Sequence, residues 1–115
     1  MSYALALMMV TLTPHLLWPS PVVDFDKQTL DTALVLAGLD RANLPITLVA
    51  APPASASHGV EGWITYDAQG AGERIFIYTG SDIFRCARWP LGMRQCRIRL
   101  ASTLVHEAWH FEQGP

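Results

Sequence analysis

The segment from Met93 to Gln113 does most to constrain what this chain can fold into. Its apolar residues Ile98, Ala101, Val105, Ala108 and Trp109 recur at helical intervals, and Gly114-Pro115 is a stop signal just past it. The spacing predicts one long helix with that stripe in the core and Thr103, His106 and His110 beside it. Within it stands His106-Glu107-Ala108-Trp109-His110. On a helix the two histidines lie one turn apart on one face, so both imidazoles can reach one ion, and Glu107 beside them can address a water held there. This is half of a zinc-hydrolase site. A catalytic zinc normally takes three protein ligands and keeps a fourth position for water.

The remaining chain must build a core for that helix. With 115 residues there is room for one domain at most. Residues 1–21 read as an apolar lead-in, or a signal segment, that ends in the proline-rich connector Pro14 to Pro21. From Lys27 to Ala37 the residues Leu30, Ala33, Leu34 and Ala37 mark an amphipathic helix, with Asp26 as N-cap and Gly38 as stop. Ile46 to Ala50 is a β-branched run of strand length. Gly62 to Asp67 and Arg74 to Thr79 are two more strands, and the glycines between them suit a hairpin. Ser81 is placed to cap a short helix from Asp82 to Arg88, ended by Pro90 and Gly92. His58, among Ser and Gly, reads as a solvated loop residue rather than a ligand.

Composition narrows the function classes. Half the residues are hydrophobic, 16% are charged and the net charge is -2, which excludes a disordered chain and gives no general pull toward nucleic acid. Five arginines (Arg85, Arg88, Arg94, Arg97, Arg99) crowd one segment, but without interleaved aromatic residues they read as a solvated face. Cys86 and Cys96 lack the two-to-four-residue gap of a structural zinc site and are either packing residues or a single bridge. The apolar run at the N-terminus has no Lys or Arg before it, and Pro14 and His15 interrupt it short of a membrane span. No stable membrane span is therefore expected, and cytoplasmic and exported locations both stay open.

Zinc suits the motif, because it takes neutral imidazole and can expand its coordination during reaction. Glu107 is long enough to take a proton from the activated water and pass it to a leaving amine. The stretch Leu104-Val105-His106-Glu107-Ala108-Trp109-His110 resembles the zincin metallopeptidases. The resemblance implies His106 and His110 as ligands of Zn2+, Glu107 as general base, and a peptide or protein as substrate. It also implies an α+β fold over residues 22–115, with an N-terminal helix on a small mixed sheet followed by the active-site helix. Arg74 to Thr79 would be the edge strand that pairs with substrate. Gln113 stands where the metzincin branch has glycine, and the other branches take a third ligand from further downstream. The domain is therefore expected to continue past Pro115. The alternative is a non-catalytic interaction domain, forming a dimer through the last helix and so covering Trp109.

Overall fold

A computed structural model describes residues 22–56 and 59–114. The fold is α+β: α1 (Phe25–Ala37), a 3-10 turn (Arg41–Asn43), β1 (Ile46–Val49), β2 (Gly62–Tyr66), β3 (Gly72–Tyr78), α2 (Asp82–Ala87) and α3 (Arg94–Gln113). The lead-in and His58 lie outside the described residues.

The helix ends follow from capping chemistry. Asp24, not Asp26, caps α1: its carboxylate accepts from the Lys27 N–H at 3.0 Å, so the helix starts at Phe25. Gly38 closes α1 in the left-handed region at φ 69° and donates back to Leu34 and Val35. The Ser81 hydroxyl accepts from the Phe84 N–H at 3.1 Å and starts α2.

The three strands form a mixed sheet in the order β1-β3-β2, with β1 parallel and β2 antiparallel to β3. β3 is therefore the central strand, and the expectation that Arg74 to Thr79 forms the edge is corrected. The edge beside the last helix is β2. A tight hairpin places β2 on one side of β3, so β1, joined to β2 by a long connection, must take the other.

Pleating gives the sheet two faces. Ile75 and Ile77 point to the helix side and are buried with Leu30, Ala33 and Leu34 of α1, Phe84 of α2, and Leu100, Leu104 and Ala108 of α3. On the opposite face Trp63 and Phe76 stack across the β2/β3 pair at 5.5 Å, and Arg74 donates to Thr47 at 2.8 Å. The helices thus form one layer and the sheet the other.

The stripe on α3 is rotated from its predicted place. The buried positions are Leu100, Ala101, Leu104 and Ala108, whereas Ile98 is 49%, Val105 47% and Trp109 58% exposed. Several apolar residues satisfy helical spacing on adjacent meridians, and the sheet selects the one carrying Leu100 and Leu104. Phe111 is half-buried, packed against the core.

Behind α3, Cys86 and Cys96 are joined by a disulfide that ties α2 to the first turn of α3. Buried Thr29 reinforces that corner: it donates to the Phe25 carbonyl at 2.6 Å and accepts from the Trp89 N–H at 2.8 Å. Three of the clustered arginines are committed locally. Arg88 pairs with Asp26 at 3.1 Å, Arg85 with Asp82 at 2.9 Å, and Arg97 donates to the Pro90 carbonyl at 3.0 Å. No helix among the described residues is long and apolar enough to cross a membrane.

Candidate functional site

The helical register of α3 divides its circumference. Leu100, Leu104 and Ala108 face the core, and Thr103, His106, Glu107 and His110 follow on the flank that borders the sheet. The rings of His106 and His110 meet edge to face, with centroids 4.5 Å apart. His106 is exposed and His110 half-buried, with the Trp109 ring edge-on to His110 at 5.0 Å. One turn of helix therefore brings both imidazoles to one spot.

Glu107 lies between the histidine face and the sheet. It passes beside Gly62 of β2, where a side chain would press on β3 before it reached Glu107. A Cβ added to Gly62 would stand 3.5 Å from the Glu107 Cγ and 3.0 Å from both the Ile77 Cδ1 and the Phe76 carbonyl oxygen. Burial pushes the Glu107 carboxyl above the ordinary carboxylate range, positive charge on His106 and His110 works against the rise, and the Glu61 carboxylate adds to it. Proton affinity above that of a free carboxylate is what a general base needs.

A groove of about 450 Å³ runs along this flank, lined by Val60, Glu61, Gly62, Arg99, Ser102, Thr103, His106 and Glu107. Glu61 is anchored in it, because the Thr103 hydroxyl, which can also donate to the Arg99 carbonyl, reaches a Glu61 carboxylate oxygen at 2.9 Å. The groove shares Val60, Glu61 and Arg99 with a larger cavity of about 710 Å³ beneath the β1–β2 loop. On its far side the outer edge of β2 is unpaired among the described residues. The Glu61 carbonyl is spent on the Tyr78 N–H at 2.9 Å, so the alternation of an antiparallel ladder turns the N–H and C=O groups of Gly62 and Ile64 outward.

Of the three residues singled out by their spacing, His106 and Glu107 line the groove, and His110 stands against the His106 ring one turn further along α3. Sequence reasoning missed Glu61 and the close approach at Gly62. The only available signal was a glycine opening an otherwise aromatic and β-branched strand, which often marks close approach of another group.

Comparison of the chain with protein-family models, curated proteins and solved structures found no match. The geometry therefore carries the functional reading.

The fit to zinc can be judged from the donors. Two imidazoles one turn apart are suitable ligands, and the carboxylate beside them is not needed to hold the ion. Among the described residues no third His, Cys, Asp or Glu joins them in a group. The donor set among the described residues is two imidazoles, which is half of what a catalytic zinc takes.

Proposed function

We propose that this protein is a zinc-dependent hydrolase of peptide bonds, in which His106 and His110 hold the metal and Glu107 is the general base. One observation carries the reading: two imidazoles in contact one turn apart, with His106 and a carboxylate of raised proton affinity lining a groove beside a strand edge that is unpaired among the described residues.

When bound, zinc acts as a Lewis acid and lowers the pKa of its water to roughly 7. The chain's own residues do the rest. An extended peptide adds to the outer edge of β2 through the backbone groups of Gly62 and Ile64, which lays its carbonyls along the groove past His106. Glu107 takes the proton of the attacking water and returns it to the leaving amine. Glu61, held by Thr103, keeps a negative charge near Glu107 and helps keep its proton affinity high. The substrate class is a peptide or protein, because the recognition surface is a strand edge rather than a closed pocket.

The test pairs metal binding with hydrolysis. Protein titrated with zinc should bind one equivalent, His106→Ala should lose that binding, and Glu107→Gln should retain it while losing hydrolysis of an unfolded protein substrate. Zinc binding that is the same in the parent and in His106→Ala would remove the metal assignment. Full activity in Glu107→Gln would remove the base.

A second reading, an interaction domain acting through α3, is favoured by a different observation, the half-exposed Ile98, Val105 and Trp109.

A further inference from the structure

The exposed side of α3, away from the core and bordering the groove at Ser102, is patterned. Ile98, Ser102, Val105, Trp109 and Glu112 are all exposed and follow one another at intervals of four, three, four and three residues. That is the heptad spacing of a coiled-coil seam, with a small residue, Ser102, near the middle where two helices could approach most closely. Arg94 precedes Ile98 by one turn. Arg94 and Glu112 stand eighteen residues apart, about five full turns, so they share one meridian at opposite ends of the helix.

Their charges are reversed relative to the helix dipole. The first turn of α3 contains no acidic residue, its N-cap Met93 makes no side-chain hydrogen bond, and Arg94 adds positive charge there. Glu112 adds negative charge in the last turn, among carbonyl groups that prefer a cation. Neither residue has an ion-pair partner among the described residues. Within one copy both placements are unfavourable.

We infer that the occupant of this face is a second copy of the same chain, paired antiparallel through α3 about a two-fold axis near Ser102 and Thr103. A two-fold axis maps a residue on one meridian to the same side of the partner helix at the opposite end. Arg94 then meets Glu112 of the other copy, twice per dimer. Each helix also receives from its partner the terminal charge it lacks. Ile98 packs on the other copy's Trp109, and Val105 passes over its Ser102. The histidine face lies to one side of this seam, and Ser102, which lines the groove, puts the seam along one rim of it. The inference does not depend on the peptidase reading.

Sedimentation equilibrium of the full chain from about 1 to 300 µM should show a monomer–dimer equilibrium in the micromolar range, as a small helix–helix contact gives. Arg94→Glu and Glu112→Arg should each weaken the dimer roughly tenfold, since two pairs change from attraction to repulsion, and the double exchange should restore it. Arg94→Glu should not lower the melting temperature of the monomer, because it corrects the terminal charge of α3, so loss of the dimer will not be loss of the fold. Val105→Lys should abolish association. A chain that stays monomeric throughout overturns the inference, and resistance of Ser102→Cys to alkylation in that monomer would assign the face to residues 1–21. A dimer that survives Val105→Lys, or single charge reversals that the double does not rescue, overturns it equally.

Discussion

Gly72→Ala tests how closely α3 is seated on the sheet. The first residue of β3 runs under the last turns of α3, and a Cβ there would stand 2.5 Å from the Phe111 carbonyl oxygen and 2.6 Å from the Phe111 Cδ2. Real Cβ contacts are not that short, so something must move. The ring can rotate, but the carbonyl oxygen belongs to the α3 backbone and cannot move without the helix. Overpacking of this kind costs about 1–3 kcal/mol, and a backbone neighbour places the cost toward the upper end. For a domain of this size each kcal/mol shifts the melting temperature by about 4–8 °C, so a fall of roughly 10–20 °C is expected in thermal unfolding followed by far-ultraviolet circular dichroism. Gly38→Ala is the control. That glycine has φ 69° but nothing within 4 Å of an added Cβ, so the cost is the left-handed backbone alone, about 1 kcal/mol. Phe111→Leu placed on Gly72→Ala should recover only part of the loss, because it relieves the ring contact and leaves the carbonyl contact. A Gly72→Ala protein melting within a few degrees of the parent would refute the close seating of α3, and the placement of Glu107 against Gly62 with it.

Two further outcomes follow from the same structure. In metal-free protein the raised proton affinity of Glu107 means that the native state favours its neutral form, so the stability this group contributes is present at low pH and is lost as pH rises through its folded value. Glu107→Gln should therefore raise the melting temperature at pH 7–8 and leave it unchanged near pH 4, about the ordinary carboxylate value; an equal change at both would show that ionisation is not the cause. Reduction of Cys86–Cys96, which closes a loop of sequence separation 10, should cost about 2–3 kcal/mol by chain entropy, read as a drop in the urea midpoint with unchanged slope.

How much of this was legible in the sequence depended on whether local chemistry or packing decided it. Gly38, Ser81 and the β2/β3 hairpin act within a few residues of chain, and each is found where its local signal placed it. The central position of β3 was not local. It depends on where the β2/β3 hairpin docks against β1 after the long stretch from Ala50 to Glu61, and no residue in β3 encodes its neighbour on the far side. The buried face of α3 was misassigned for a related reason. Ala101 and Ala108 of the expected stripe are buried, but Ile98, Val105 and Trp109 satisfy helical spacing as well as Leu100 and Leu104 do, and only the seating of the helix on Ile75 and Ile77 distinguishes them. At the candidate site the three motif residues were legible because a single turn of helix brings them together, whereas Glu61 and Gly62 arrive from a strand more than forty residues earlier.

That misassignment bears on function. The meridian carrying Leu100 and Leu104 binds α3 to the domain, and the flank next to it brings His106 and Glu107 to the groove beside β2, with His110 against His106. Ala101 and Ala108 of the stripe first read as core are buried, and its other members, Ile98, Val105 and Trp109, are left over at heptad spacing, with charges at the helix ends that oppose the dipole. A helix that served only to hold a metal half-site would need two faces, one for the core and one for the ion. A third patterned face is not required by either role, and Trp109 links it to the site through its contact with the His110 ring. Packing over Trp109 would restrict that ring, so the proposed association through α3 and the proposed metal binding at His110 are expected to influence one another.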